Sequence, residues 1–271
     1  MRILYIAINY RTAHHAEAFV KCFERDPRDA RLVLVDNSEP HERVSLQVDP
    51  TLADAIHYCP TSGNLGYFGG ARHGLSSAVA GGFDADWVVV SNVDLTFDPT
   101  QMRAVLAPKD PGQIGVIAPA ITSRHSLEKL NPFMVARPTR ARMHAYKHIF
   151  RYYLSFATYS WASEVVRHRA WGSPHSSTDS ADRQIYAPHG ALMILSREFF
   201  RRGGTLEHPP FLFNEEITIA EQARRLSLPV VYCPAITVSH EQHASVSRIP
   251  SRRHHEFVSS AAAYVADAYF R

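Results

Sequence analysis

Cysteine is scarce. Cys22, Cys59 and Cys233 are the only three in 271 residues, odd in number and far apart. Such a set builds no disulfide framework, and without a CxxC pair it offers no zinc site. Reduced thiols in a cytosolic protein are the expectation that follows. Long apolar runs are missing too. No stretch approaches the roughly 18 residues that cross a bilayer. The opening Ile3-Leu4-Tyr5-Ile6-Ala7-Ile8 is too short for the core of a secretion signal and reads as a buried strand. A cytoplasmic location is therefore expected. Nor is one charge in excess: 29 Lys and Arg against 26 Asp and Glu give a formal +3, which argues against a nucleic-acid partner.

Acids are locally absent. Between Arg137 and Trp171 the chain carries Arg137, Arg140, Arg142, Lys147, Arg151, Arg167 and Arg169, against Glu164 alone. Tyr146, Phe150, Tyr152, Tyr153, Phe156, Tyr159 and Trp161 are interleaved with them. Basic and aromatic side chains together suit an anionic membrane surface, so peripheral attachment at the inner face of the plasma membrane is one expectation. A helical flap with packed aromatics and solvated arginines is the other.

What is present is ordinary globular composition, 45% hydrophobic and 20% charged, in a chain long enough for a sizeable core. Apolar runs predict strands at Ile3 to Ile8, Arg31 to Val35, Ala55 to Cys59, Trp87 to Val90 and Ile114 to Ala118. Helices are predicted from Ala13 to Glu24 and, behind a glycine-rich loop, from Ala71 to Val79. Alternation returns with a strand from Gly190 to Leu195, helices at Arg197 to Arg201 and Glu216 to Leu226, short strands at Val230 to Tyr232 and Ile236 to Val238, and a final helix from Arg252 to Phe270. Phe257, Ala261, Val265 and Tyr269 form a face of that helix suited to a second subunit. The alternation implies a doubly wound α/β half with its ligand crevice at the carboxyl ends of the strands.

Three polar clusters follow strands. Asp36-Asn37-Ser38 suits hydrogen bonding to a base or ribose, or forms a simple turn. The loop from Asn64 to Gly74 lets backbone approach a ligand closely, and Arg72 stands where it can meet phosphate. Asn92-Val93-Asp94 ends the most apolar strand, where Asp94 is placed to hold a divalent cation bridging to diphosphate; a β-turn aspartate is the alternative.

Together these motifs resemble the family 2 glycosyltransferases of the GT-A fold, especially rhamnosyltransferase-like bacterial enzymes of O-antigen and surface-polysaccharide synthesis. In chain order, Asn9-Tyr10-Arg11 resembles "tyN", Val35-Asp36-Asn37-Ser38 "VDNgS", and Asn64 to Ala71 "NlGfagg". Asn92-Val93-Asp94 resembles "NPD", Gly190-Ala191-Leu192-Met193 "GafmL", and Phe213-Asn214-Glu215-Glu216-Ile217 "yeEDvdl". Tyr232-Cys233-Pro234 resembles "yvP" and Val238-Ser239-His240 "vvH".

The resemblance implies a GT-A, Rossmann-like fold: a mixed, mostly parallel sheet flanked by helices, with a basic aromatic helical insertion and a C-terminal helix. A single domain is expected over residues 1–271, with a nucleotide-binding half at 1–120, an acceptor and catalytic half at 121–250 and the helix at 251–271. The implied reaction is inverting, metal-dependent transfer from a UDP- or dTDP-linked sugar to a glycan or lipid-linked acceptor. Asn9, Asp36, Asn64, Gly66, Arg72, Asn92 and Asp94 would bind the donor. Asp94 and His240 would hold Mn²⁺ or Mg²⁺. Glu216 would be the base, with Glu215 its competitor, and His189 and Gly190 would meet the acceptor. Glu216 stands where the family usually has Asp, and Gln222 where it usually has Arg. As a pair of acids in a first helical turn behind an Asn214 N-cap, Glu215 and Glu216 also admit a structural reading. Two other functions fit less of the sequence. A sugar nucleotidyltransferase would carry a glycine-rich loop after the first strand, where Asn9-Tyr10-Arg11-Thr12 stands. A non-catalytic nucleotide-sugar-binding subunit would bind donor without turnover.

Overall fold

The run Ile3–Asn9 forms strand β1 with every residue buried, because an apolar run without alternation needs both its faces covered. Its side chains alternate between two cores. Ile3, Tyr5 and Ala7 pack with helix α1 (Ala13–Phe23) on one side of the sheet. Leu4, Ile6 and Ile8 pack with helix α2 (Gly66–Ala80) on the other. The computed structural model describes residues 1–170, 181–241 and 251–271, with side chains described except at 162–170 and 251.

Strands β2 (Ala30–Asp36), β3 (Ile56–Pro60) and β4 (Trp87–Asn92) join β1 in parallel, in the order β3-β2-β1-β4. The other strands are β5 (Leu95–Phe97), β6 (Val116–Ser123), β7 (Arg183–Ile185), β8 (Leu192–Ser196) and β9 (Val230–His240). β8 runs antiparallel between β4 and β6, β9 lies parallel to β6, and β5 and β7 pair antiparallel with β9. Thus β1, β2, β3, β4, β6 and β9 point one way. The remaining helices are α3 (Pro99–Leu106), α4 (Arg140–Ile149), α5 (Tyr153–Ala170), α6 (Arg197–Arg201), α7 (Glu215–Arg225) and α8 (Ser251–Tyr269). The architecture is the mixed, mostly parallel α/β sheet flanked by helices that the sequence leads one to expect.

Several local expectations are corrected. α2 begins at Gly66, so the glycine-rich stretch is largely helix. A Cβ at Gly74 would stand 2.7 Å from Ile6 and Val35, and one at Gly70 3.0 Å from the Asn37 amide. Those two glycines, one helical turn apart, let α2 lie directly on β1 and β2. The two short strands predicted near Tyr232 and Val238 are the single strand β9, matched by a register shift at Pro119 and Ala120 of β6. β5 and α3 follow Asp94 unannounced, whereas α4 and α5 supply the helical insertion expected in the middle segment. The α8 face proposed for a second subunit packs inward: Ala261 and Val265 are fully buried, Val265 joins Met143 and Ile217, and Phe257 lies against Phe211.

Candidate active site

The directions of the strands decide which residues meet. β1, β2 and β4 end at Asn9, Asp36 and Asn92 on one edge of the sheet. β8 is reversed, so the residues preceding it, His189, Gly190 and Ala191, reach that same edge; Asn92 N–H donates to the Ala191 carbonyl at 3.0 Å. β9 runs with the majority and delivers His240 there, opposite Leu95 of β5. A cavity of about 1140 Å³ opens at this edge.

Its polar wall holds Asn37, Asn64, Asn92, Asp94, His240 and the pair Glu215 and Glu216. Asp94 Oδ1 and His240 Nε2 are 3.3 Å apart and both residues are buried. Neither Asp94 Oδ1 nor either ring nitrogen of His240 has a hydrogen-bond partner. Buried polar atoms are ordinarily satisfied, so this pair is suited to something else. Two ligand atoms at about 2.1 Å from an octahedral cation sit about 3 Å apart, which this separation matches. Among the described residues no third histidine, cysteine or carboxylate joins them.

Glu215 and Glu216 open α7. The preceding Phe213 and Asn214 both adopt left-handed backbone, φ +76 and +66, a conformation disfavoured for Phe and tolerated by Asn. Asn214 stands at the cap position, but its side chain makes no capping bond. The two acids are therefore not explained as a capped first turn. The helix N-terminus favours their ionised forms, and burial opposes it. Burial prevails: it pushes Glu216 up to about 7, and burial followed by repulsion from Glu216 pushes Glu215 up to about 8. Glu215 Oε1 has no hydrogen-bond partner. Glu216 lies over Gly190, 3.5 Å from where a Cβ would be.

Ionising Glu215 favours the unfolded chain, because its folded value lies above its ordinary 4.5. That cost is absent below about pH 4.5 and grows until about pH 8. Glu215→Gln should therefore melt above wild type near pH 7, with the difference closing near pH 4. Equal melting temperatures at both values would overturn this.

Histidine 189 is held by its neighbours. Its Nδ1 accepts from Ala191 N–H at 3.1 Å, and Asn131 Oδ1 accepts its backbone N–H. Burial, then the nearby His240, lowers its pKa to about 4, so the ring is neutral and its Nε2 carries the proton.

Three expected donor contacts are not on the cavity wall. Asp36 is fully buried; its Oδ1 accepts from Asn9 Nδ2 and Ser38 N–H, and its Oδ2 from Val44 N–H and the Tyr58 hydroxyl. Both oxygens are thus occupied, and those bonds hold its pKa below the ordinary value against the larger opposing effect of burial. Asn9 is fully buried as well and ties this carboxylate to Thr12. Both residues shape the strand ends that present Asn37 and Thr12 to the cavity. Arg72 is exposed and lies 3.7 Å from Glu207. Asn64 and Gly66 do line the cavity. Asn64 Oδ1 accepts from Gly66 N–H, and Gly66 has φ +74 with the Phe211 carbonyl where a Cβ would be, so only glycine fits.

Other lining residues escaped the sequence reading. Arg11, not Arg72, is the arginine at the strand-end wall; its Nε is 2.5 Å from Glu42. The buried Tyr67 hydroxyl has no hydrogen-bond partner, and burial, then the charges of Glu215, Asp94 and Glu216, raises its pKa. The lining also has an apolar part built from Phe133, Phe150, Phe211, Phe213 and Phe257, with the Phe133 ring edge-on to His189. An aromatic at the position of Tyr67 was visible in the motif; the apolar wall had no local signal, because α4, α8 and two loops contribute to it.

No family model matches the chain. It is 24% identical over 246 residues to the low-salt glycan biosynthesis hexosyltransferase Agl10 of Haloferax volcanii, covering 91% of this chain and 69% of that protein. It is 21% identical over 257 residues to N-acetylglucosaminyl-diphospho-decaprenol L-rhamnosyltransferase of Mycobacterium tuberculosis, covering 91% and 78%. A solved structure of GalNAc-T7 with UDP, GalNAc and Mn²⁺ superposes with a TM-score of 0.49 at 12% identity, over 89% of this chain and 44% of that one. Two such relatives, matched along nearly its whole length, show distant homology of this chain to glycosyltransferases.

Proposed function

We propose that this glycosyltransferase moves a sugar, with rhamnose a candidate, from a UDP- or dTDP-linked donor to a glycan or lipid-linked acceptor, with inversion at the anomeric carbon. One observation carries the reading. A single cavity holds an unpartnered carboxylate–imidazole pair, Asp94 and His240, and a carboxylate pair whose affinity for protons burial has raised to the physiological range.

Asn64 and Asn92 offer amide groups to the donor's nucleotide and sugar, and the neutral His189 offers an N–H, whereas the Asn37 amide is engaged with Gly66 and Thr61. Asp94 and His240 are suited to Mn²⁺ or Mg²⁺, which prefer few protein ligands when phosphate oxygens complete the shell. A cation held by these two residues would supply charge neutralisation to the leaving diphosphate. Glu216 takes the proton from the acceptor hydroxyl as its oxygen bonds to the anomeric carbon and the bond from that carbon to the diphosphate oxygen breaks. A base with a pKa near 7 is half ionised at neutral pH and still a good proton acceptor. The apolar wall excludes water that would otherwise hydrolyse the donor.

A thermal-shift screen of UDP-, dTDP- and GDP-sugars with Mn²⁺ or Mg²⁺ tests the donor class. Saturation at about 100 times Kd adds about 2.7 kcal/mol, a rise of several degrees for a chain of this size. The matching nucleotide should raise the melting temperature only when the cation is present. No shift with any of the three would defeat the reading.

A further inference from the structure

Helix α5 has two aromatic faces with different fates. Phe156 and Tyr159 turn inward, their rings 5.8 and 5.3 Å from Phe150, and Phe150 lines the cavity. Tyr153 and Phe156 also pack on His255 of α8. Leu154 and Trp161, two helical turns apart and so on one stripe, turn outward. Leu154 is 78% exposed, Trp161 70%, and the adjoining Tyr152 63%. Large apolar side chains grouped on an outer face are uncommon in the absence of a partner.

The charge around this ridge indicates which partner. From Lys129 to Ser163 the sequence has no Asp or Glu. Two of the cations counted there serve the fold: Arg137 pairs with buried Glu221 at 2.6 Å, and Lys147 with Asp267 of α8. Arg140 and Arg151 are exposed, with the Arg151 guanidinium 5.6 Å from the centre of the Tyr152 ring. The side chains of Glu164, Arg167 and Arg169, and all of Trp171, lie outside the described residues. A second copy of the chain would set cation against cation across so narrow a ridge, which disfavours it. No helix among the described residues is long and apolar enough to cross a membrane, so the ridge is suited to seating in an interface.

We propose that the outer face of α5, Leu154 and Trp161 with Tyr152, seats in the headgroup region of an anionic bilayer while Arg140 and Arg151 meet lipid phosphates. Apolar side chains at that depth and cations beside anionic lipid contribute together. The inference stands independently of the sugar-transfer reading. It also places the cavity one aromatic layer, Phe150 with Phe156 and Tyr159, from the membrane.

Flotation of the full chain with phosphatidylcholine vesicles, with and without phosphatidylglycerol, tests it. Wild type should float with the anionic vesicles alone and detach near 1 M salt, where the Debye length is about 3 Å. Leu154→Ser with Trp161→Ser should weaken partitioning by at least about tenfold, as should Arg140→Ser with Arg151→Ser. These side chains are exposed, so both variants should keep the wild-type melting temperature. Failure of wild type to float with either vesicle, equal flotation with both, or undiminished flotation of the variants would overturn the proposal. So would a lipid-free dimer that the Leu154 and Trp161 variant dissociates, which would assign the ridge to a second copy.

Discussion

Glu216→Gln is expected to lower turnover at least about a hundredfold, the low end of what a general base contributes. The amide keeps the size of the side chain and the hydrogen bonding of its carbonyl oxygen but cannot take a proton. Donor-induced thermal stabilisation should change little, because the base acts on the acceptor. The pH profile provides a second readout. Burial holds the Glu216 carboxyl at about 7, and the base must be ionised to act. Wild-type kcat/KM should therefore fall about tenfold per unit below that value and level off above it, whereas the residual activity of the variant should lack this limb. Glu215, pushed to about 8, remains mostly protonated where Glu216 is mostly ionised. If Glu215→Gln is the inactive variant and Glu216→Gln turns over normally, the roles are reversed.

The second large effect concerns the pair at the ends of β4 and β9. Asp94→Asn should abolish transfer by about three orders of magnitude, since a cation stabilising the leaving diphosphate is worth several kcal/mol. The fold should be untouched, because Asp94 Oδ1 has no hydrogen bond within the protein to lose. The unliganded melting temperature is the check on that point. The cation-dependent thermal shift with nucleotide sugar should disappear in the same variant, a readout that does not depend on turnover. EDTA in excess should reproduce both losses in wild type, and added Mn²⁺ should reverse them. Undiminished transfer in EDTA would dispose of the cation at this site.

Much of the fold was legible because it is local. Ile3–Asn9, Ala30–Asp36 and Trp87–Asn92 are apolar runs that form buried strands, and α1 follows from apolar residues at helical spacing, Ala16, Phe19, Val20 and Phe23. The polar clusters at the strand ends were legible for the same reason. α2 was misread at its start because glycine signals a loop in sequence. In the structure Gly70 and Gly74 are helical and bring the helix against Ile6, Val35 and Asn37. The α4 and α5 pair was expected as a helical insertion, but its bounds were illegible because its aromatics point to different partners around the helix, leaving no single apolar stripe. α5 buries Phe156 and Tyr159 against Phe150 yet exposes Leu154 and Trp161.

The sequence by itself determined the central strands, several of the helices that flank them and the polar residues that terminate those strands, since strand burial and helix periodicity are properties of neighbouring residues. Only the tertiary structure decided which of those polar groups face the cavity. Asp36 and Asn9 end adjacent strands just as Asn92 does, but cross-strand pairing at Asn9 and Asp36 turns the Asp36 carboxylate onto Asn9, Ser38, Val44 and Tyr58. Arg72 sits beyond the first turn of an earlier-starting α2 and points to solvent. Conversely Asp94 meets His240 because β5 pairs with β9, and Glu216 meets Gly190 because β8 runs backwards in the sheet. Each of these meetings depends on the direction and register of strands distant in the chain, which no local pattern of residues encodes.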